Sequence, residues 1–353
     1  MLSFNAARVL VPFITSFVIG IGLTPIITHY LYKHKVWKKV AGKQALDGTE
    51  AEQFNKIDNG REGYTPRMGG IVIWGSVIIT ALLFSVLATL IGGEYTKLNL
   101  INRGQTWLPL FALLSGAIIG LGNDILDVVT PDARGLSLRY RLLAVILVSG
   151  GIAWWFYSKL GVSTVGLLFF GPISLGLAFI PFFILVTLLM YASGVIDGID
   201  GLAGGIFGII FMVYAGIAFA QNQVALAALS ATISGATFAF LWFNIPPARF
   251  WMTETGTMAL TLALSVIAFS ADTLGDGVGV SVLPIIALPL FVTVISNVVQ
   301  VVAKKYFGRK VFRIAPVHHH FEAIGWPSYK VTMRYWVITI LCGIIGLSLA
   351  LLK

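Results

Sequence analysis

The feature that most constrains the fold of this chain is its series of long apolar segments. A helix that crosses a bilayer needs about 20 mostly apolar residues, and ten segments come close to that length. Only 11% of the 353 residues are charged, whereas soluble proteins carry about a quarter. The sequence therefore predicts an all-α, multi-pass membrane protein, with residues 1–353 forming a single integral membrane domain. The predicted spans are 8–32, 69–92, 107–123, 140–157, 172–191, 202–220, 223–242, 256–271, 280–302 and 332–352.

Positive charge is distributed unevenly between the loops that join these spans. Ten spans place both termini on one side, and the loops on the opposite side carry 19 of the 24 Lys and Arg residues. Because loops rich in Lys and Arg stay in the cytoplasm, we expect extracytoplasmic termini and a cytoplasmic active face. Topology and anionic lipid headgroups explain the net charge of +9 better than nucleic acid does. We therefore expect the lipid bilayer, and no nucleic acid, as a partner.

Three acidic clusters fall at the predicted cytoplasmic ends of the spans. Asp197 and Asp200 lie between two glycine-flanked spans, Asp124 and Asp127 end the third span, and Glu254 enters the eighth. Each cluster alone is more often a helix cap than a ligand, because Asp favours helix starts. Three clusters on one face favour a shared site, and carboxylates together with substrate phosphates suit Mg²⁺. We expect Asp124, Asp197 and Glu254 to hold that metal ion.

Two further segments on the same face carry polar chemistry. The run His318-His319-His320 lies in residues 316–322, and we expect a loop there because three adjacent side chains cannot share one helical face. Zinc binding or a plain polar loop are alternatives, although metal sites usually draw on spaced ligands. Imidazoles could instead hydrogen-bond to sugar and diphosphate oxygens. The second segment, residues 64–70, offers Thr65, a cation and glycines, but also has the composition of a simple turn.

Together these motifs resemble the polyprenyl-phosphate N-acetylhexosamine-1-phosphate transferase superfamily. The matching segments are Thr-Pro-x-Met-Gly-Gly at 65–70, Asp-Gly-x-Asp-Gly-Leu-Ala at 197–203 and Asn-x-x-Pro-Ala at 244–248. The most specific match is Pro-x-His-His-His-Phe-Glu at 316–322, which resembles the phospho-N-acetylmuramoyl-pentapeptide transferase branch. The resemblance runs from about residue 65 to the C-terminus.

The resemblance implies a reaction and a location. The donor would be UDP-N-acetylmuramoyl-pentapeptide, the acceptor undecaprenyl phosphate, and the products lipid I and UMP. Mg²⁺ would be the cofactor, and the protein would lie in the bacterial inner (cytoplasmic) membrane. The sequence leaves the oligomeric state open, with a homodimer as one option.

The resemblance also assigns roles to individual residues. Catalytic roles would fall to the acidic residues of the three clusters and to the histidine run. Substrate contacts would come from the nucleoside pocket and the segments around it. The catalytic set is Asp124, Asp197, Glu254, His318, His319 and His320, and the substrate-binding set is Thr65, Asp200, Asn244, Trp251, Asn123 and Asp127.

Several positions depart from the pattern of that family. Asn123 replaces an aspartate, Gly194 replaces an asparagine, and Glu254 replaces an aspartate, while Arg61 is a candidate substitute for a lysine. Asp127 could compensate for Asn123, which is a weaker metal ligand. These departures keep two alternatives open: transfer from UDP-GlcNAc or a related sugar nucleotide, and a divergent member without catalytic activity. A transporter would place charges near mid-bilayer, which this sequence does not.

Overall fold

The computed structural model describes residues 2–39, 63–101, 104–130, 135–273 and 277–352. Within these ranges, ten helices are long and apolar enough to cross a membrane, so the predicted number of spans is confirmed. Arg61 lies outside the described residues, as does part of the loop before Thr65. The long helices are α1 Leu2–Lys33, α2 Gly70–Leu90, α3 Trp107–Val129, α4 Leu138–Lys159, α5 Phe179–Ala192, α6 Leu202–Ala220, α7 Val224–Asn244, α8 Thr253–Thr273, α10 Leu288–Phe307 and α12 Ser328–Leu351.

Shorter elements interrupt the chain between these helices. Strands β1 (Thr164–Leu167) and β2 (Gly171–Ser174) form an antiparallel hairpin. Two short helices, α9 (Leu283–Ile286) and α11 (Val317–Ala323), precede α10 and α12. Single 3₁₀ turns span Gly93–Leu98, Gly176–Ala178 and Ser193–Ile196.

The structure corrects three predicted boundaries. The fifth span was predicted from residue 172, but β2 occupies Gly171–Ser174 and helix α5 begins at Phe179. The ninth span was predicted from residue 280, yet α10 begins at Leu288, since the chain breaks at Ala287 ahead of Pro289. The third span was predicted to end at residue 123 but continues to Val129, because Asp124 and Asp127 are accommodated inside the helix.

Helix α8 is the centre of the bundle. Most of its residues are buried inside the protein, whereas less than a third of the residues of α1, α4, α10 and α12 are buried. Helices α3 and α8 approach backbone to backbone: a Cβ atom on Gly120 would lie 2.1 Å from the carbonyl oxygen of Glu254, and one on Gly116 would lie 2.5 Å from that of Met258. Small residues permit such close packing in membranes. The contact brings the end of α3 against the start of α8.

Glycines also bring α2 against the segment that enters α8. The backbone N–H of Gly69 donates to the carbonyl of Trp251 at 2.8 Å, and that of Gly70 donates to the carbonyl of Met252 at 3.2 Å. A Cβ atom on Gly70 would lie only 2.2 Å from the backbone nitrogen of Gly256. The glycines at 69 and 70 are therefore explained by close packing rather than by a simple turn.

Candidate functional site

The first feature of the site is a buried carboxylate that caps helix α8 from another helix. Asp124, on α3, is fully buried. Its Oδ2 accepts hydrogen bonds from the Thr253 hydroxyl at 2.5 Å, the Thr255 backbone N–H at 2.8 Å and the Thr255 hydroxyl at 2.5 Å. Carboxylates are stabilised at helix N-termini, where backbone N–H groups lack partners within the helix. Asp124 thus fixes the start of α8 to the end of α3.

Thr253 joins this carboxylate to a second one. The backbone N–H of Thr253 donates to Asp197 Oδ2 at 2.8 Å, and its hydroxyl accepts from the Met68 N–H at 3.1 Å. Thr253 has a φ of 55°, in the left-handed region that non-glycine residues seldom adopt. Three segments far apart in the sequence therefore meet at this threonine. The structure brings Asp124 and Asp197 together, as the sequence predicted.

Two arginines form ion pairs with the remaining acidic residues. Arg67 contacts Asp127 Oδ2 at 2.9 Å and lies 3.8 Å from Asp124 Oδ1. Arg141 forms an ion pair with Glu254. The arginine side chains are only 14% and 23% exposed, so both pairs are largely shielded from water. We predicted neither pairing, since the partners are separated by 60 and 113 positions along the chain.

The three carboxylates predicted to hold Mg²⁺ do not fit a joint ligand set. Asp124 Oδ2 already accepts three hydrogen bonds, and Glu254 is paired with Arg141. In the part of the chain that the structure describes, no group of three or more His, Cys, Asp or Glu side chains could hold a metal ion. Protein-bound Mg²⁺ requires near-octahedral oxygen ligation. The expected Mg²⁺ requirement stays a prediction, and the side-chain geometry around Glu254 does not support it.

A second group of residues fixes the loop between α7 and α8. Asp200 accepts from the Ala248 backbone N–H at 3.0 Å and from the Trp251 indole N–H at 3.1 Å. Asn244 accepts from the Gly201 N–H at 2.9 Å and donates to the Phe250 carbonyl at 2.8 Å. The predicted nucleoside-binding residues are thus brought together. The amide of Asn244 connects backbone segments, so its direct role is to shape the loop.

The histidine run adjoins the turn that carries Asp197 and Asp200. A Cβ atom on Gly198 would lie 2.5 Å from His319 Nε2 and 2.7 Å from His318 Nε2. The two imidazole rings are buried, with centroids 4.4 Å apart, and His319 Nδ1 lies 2.7 Å from Glu322 Oε2. Because there is no room for a side chain at Gly198, the rings lie directly against the backbone of that turn.

The third histidine has different surroundings. His320 Nδ1 accepts from the Arg313 backbone N–H at 3.1 Å, and its ring packs edge-on against Phe312. The expected loop was wrong, because residues 317–323 form helix α11. The underlying geometric reason holds: only two of the three rings share the face that meets Gly198. The structure therefore separates His320 from His318 and His319.

The two remaining predicted contacts occupy the edge of the site. Thr65 is buried, next to Pro66, whose carbonyl accepts from the Trp251 N–H at 2.9 Å. The side-chain oxygen of Asn123 accepts a hydrogen bond from the Leu136 backbone N–H at 2.9 Å. Its amide nitrogen donates to Asp124 Oδ1 at 3.4 Å. Asn123 thus holds the segment that follows α3, a task that an amide performs as well as a carboxylate.

Gly194, one of the departures from the family pattern, faces Thr257. A Cβ atom on Gly194 would lie 3.3 Å from both Cβ and Oγ1 of Thr257. The position where the family carries asparagine therefore offers little room here, and the threonine occupies the adjoining space. The glycine at 194 is therefore explained by its close contact with Thr257.

Sequence reasoning missed the threonines at 253 and 255 and the ion pairs of Arg67 and Arg141. The threonines had a detectable signal, since Thr before an apolar run favours a helix N-cap. The arginines had a weaker signal, because the charge bias of cytoplasmic loops already explains arginines at these positions.

Comparison with known proteins identifies the family of the chain. The family model described as glycosyl transferase family 4 matches residues 106–272, which include Asp124, Asp197 and Glu254. A phospho-N-acetylmuramoyl-pentapeptide-transferase of Geobacillus sp. (strain WCH70) is 30% identical over 339 residues, covering 95% of each chain. The chain belongs to the phospho-N-acetylmuramoyl-pentapeptide transferase family. A relative of the same name from Chloroflexus aurantiacus is 32% identical over 305 residues, or 82% of this chain and 77% of that protein.

Membership in the phospho-N-acetylmuramoyl-pentapeptide transferase family gives the ten-helix bundle its context. Relatives in this family are named as transferases, and the described part of this chain has ten helices that are long and apolar enough to cross a membrane. The residues around Thr253 are therefore the candidate active site of a transferase.

Proposed function

We propose that this chain transfers phospho-N-acetylmuramoyl-pentapeptide from its UDP-linked precursor to undecaprenyl phosphate, giving lipid I and UMP. The observation that carries the proposal is the convergence of Asp124 and Asp197 on Thr253, with His318 and His319 packed on the same turn. Relatives that cover most of the chain carry the name of this activity.

The charge bias of the loops supports the orientation of the site. Under the positive-inside rule, the end of the bundle with Asp124 and Asp197 faces the cytoplasm, and both termini lie on the opposite side. UDP-linked sugars are water-soluble cytoplasmic compounds, whereas the polyprenyl acceptor stays in the bilayer. A site at the inner boundary of a bacterial cytoplasmic membrane gives both substrates access.

The proposed chemistry is a phosphoryl transfer. An oxygen of the acceptor phosphate attacks the β-phosphorus of the UDP-sugar, the bond from that phosphorus to the bridging oxygen breaks, and UMP leaves with the electron pair. Both reactants are anions, so the chain must supply positive charge and hydrogen-bond donors where negative charge develops. Buried His318 and His319 can donate to phosphate or sugar oxygens, and Glu322 orients the His319 ring.

The runner-up is transfer from UDP-GlcNAc or a related sugar nucleotide on the same fold. The buried pair of histidines against Gly198 favours the muramoyl substrate, because that motif resembles the muramoyl-pentapeptide branch. A non-catalytic role draws support from the changes at Asn123 and Glu254. The Asn123 amide, however, is used for a backbone contact, so that change has a structural explanation.

The test is release of UMP by the purified protein with undecaprenyl phosphate and each of the two UDP-sugars. We expect UMP only with UDP-N-acetylmuramoyl-pentapeptide, and no release by Asp197→Asn. Release with UDP-GlcNAc alone would select the runner-up. No release with either donor, from protein that still binds UDP, would favour the non-catalytic alternative.

A further inference from the structure

Both ion-paired arginines keep hydrogen-bonding capacity that the protein does not use. The Nε–H groups of Arg67 and Arg141 are buried, and neither has a hydrogen-bond partner among the described residues. A guanidinium has five donors in a planar fork, so an ion pair through one terminal nitrogen leaves others available. A buried donor without an acceptor is costly. The two side chains therefore need an additional acceptor.

The carboxylates hold both guanidinium groups at the start of helix α8. Asp127 pairs with Arg67, and Glu254, in the first turn of α8, pairs with Arg141. Glu254 also interacts electrostatically with Asp124 and Arg67, so the two pairs belong to one cluster. The Tyr191 side chain lies close enough to Arg141 and Glu254 for both charges to act on it. Each arginine is thus restrained before any ligand arrives, which reduces the entropy lost on binding.

Their chemistry selects an anion with several oxygens. Guanidinium groups bind phosphates through paired, charge-assisted hydrogen bonds and are favoured where such recognition occurs. An acidic ligand oxygen at this end of α8 also benefits from the partial positive charge of the helix N-terminus. The negative charge of Asp124 is dispersed over three hydrogen bonds, so it opposes such a ligand less than an unbonded carboxylate would.

We propose that Arg67 and Arg141 bind the diphosphate of the nucleotide substrate, and that Asp127 and Glu254 position these arginines instead of coordinating a metal ion. This inference rests on the proposed function, since it takes a UDP-linked donor as the ligand. It assigns the positive charge required at the reacting phosphates to side chains of this chain. It also explains the glutamate at position 254, whose added methylene group extends it to Arg141.

The experiment is equilibrium binding of UDP and of uridine to the purified full-length protein, with EDTA and with excess Mg²⁺. The ratio of the two affinities isolates the contribution of the diphosphate. Arg141→Gln and Arg67→Gln should each weaken UDP binding roughly ten- to hundredfold, the effect of losing a charge-assisted hydrogen bond, and leave uridine binding within about twofold. Arg141→Lys should restore part of the loss, since a point charge replaces only part of the fork. The wild-type affinity for UDP should be the same in both buffers.

Controls separate this role from folding and from metal binding. Arg141→Gln alone leaves Glu254 without its cation, so the double variant Arg141→Gln/Glu254→Gln tests the same contact without an uncompensated buried charge; it should fold and still bind UDP weakly. Glu254→Gln alone should weaken UDP binding less than Arg141→Gln does, and by the same factor with EDTA and with Mg²⁺, because the arginine remains but loses its positioning carboxylate. Arg334→Gln, at an arginine stacked on Trp326, is the matched control and should bind UDP normally.

The outcomes distinguish this inference from the proposed function. UDP binding that requires Mg²⁺ and is lost in Glu254→Gln would overturn the inference and restore Glu254 as a metal ligand. UDP binding that none of the arginine variants weakens would also overturn it, with the proposed function intact. Absence of both UDP and uridine binding in wild-type protein would contradict the proposed function itself.

Discussion

The two ends of helix α8 use buried carboxylates in different ways. At the N-terminal end, Asp124 on a neighbouring helix binds Thr253 and Thr255. At the C-terminal end, Asp272 on α8 itself accepts the Gly166 N–H at 2.8 Å and the Val280 N–H at 3.0 Å. The second carboxylate thereby ties the β1–β2 hairpin and the segment before α9 to the end of the helix.

The difference shows that burial of an acid does not by itself mark a reactive site. The bonds that Asp272 makes join it to backbone groups of the fold, and the nearby Tyr214 hydroxyl likewise bonds to the Gly279 carbonyl. The Asp124 end adds Arg67 and Arg141, whose Nε–H groups lack partners among the described residues. Buried arginines with unused Nε–H groups, and not buried acids, distinguish the end that we propose binds substrate.

The largest expected effect is at Asp197. Asp197→Asn keeps the size of the side chain but removes its negative charge. That charge lies beside Thr253, next to the turn that contacts His319. If that charge acts in phosphoryl transfer, UMP release should fall at least ~1,000-fold, equivalent to about 4 kcal/mol of barrier. The measurement is single-turnover UMP release at saturating donor.

The corresponding control is the melting temperature of the variant in detergent, which should change little. A variant that retains more than a tenth of wild-type turnover would show that Asp197, like Asp272, only supports the fold.

The next effect is on stability, at the opposite end of the helix. Asp272→Ala leaves the buried N–H groups of Gly166 and Val280 without this acceptor, and an unsatisfied buried group costs about 1–3 kcal/mol. We expect a loss of about 3 kcal/mol of unfolding free energy and unchanged turnover per folded molecule. Unfolding in mixed micelles measures the loss of stability. Turnover divided by the number of UDP-binding sites measures the activity per folded molecule. A selective loss of turnover at unchanged stability would remove the contrast between the two ends.

How much of this contrast could be predicted from the sequence depends on the distance over which each signal acts. The signal for each of the ten helices is local, because a membrane-spanning helix needs only its own run of apolar residues. Their number was therefore predicted from the sequence and is confirmed. The convergence of Asp124 and Asp197 followed from the alternation of spans, which places both at the same end. The hairpin at 164–174 was missed because its four-residue strands lie within apolar sequence that is continuous with the next span.

The pairings inside the site depend on contacts that no local pattern records. Arg67, just before α2, meets Asp127 of α3, and Arg141 of α4 meets Glu254 of α8, so each pair joins elements that are far apart in the sequence. The sequence assigned Arg67 to topology, left Arg141 with two interpretations, topology or attraction of phosphate, and assigned the acids to metal. The packing of four helices was needed to show that these charges neutralise one another.

A smaller effect is expected where the histidines meet the Asp197 turn. Gly198→Ala would place a methyl group 2.5 Å from His319 Nε2, so the ring must move. Displacing a positioned group by a fraction of an ångström should lower kcat/KM about tenfold to thirtyfold, or about 1.4–2 kcal/mol.

The matched control is Gly122→Ala, also next to the acidic cluster, where an added Cβ atom has no neighbour within 4 Å. That variant should retain kcat/KM within about twofold, because alanine is a good helix former. Equal losses in both variants would mean that any added methyl group near the acidic cluster lowers kcat/KM, and that the contact with His319 is not the cause.

The smallest expected effect concerns the loop that Asp200 holds. Trp251→Phe removes the indole N–H that donates to Asp200 Oδ1 but leaves the Ala248 N–H on Oδ2. Loss of one such bond costs about 1 kcal/mol, so KM for the UDP-linked donor should rise about fivefold while kcat stays the same. Trp242→Phe, at an exposed tryptophan of α7, should change neither constant. A fall in kcat at unchanged KM would instead place Trp251 among the groups that act on the reacting phosphates, and the reactive end of α8 would extend beyond the arginine pair.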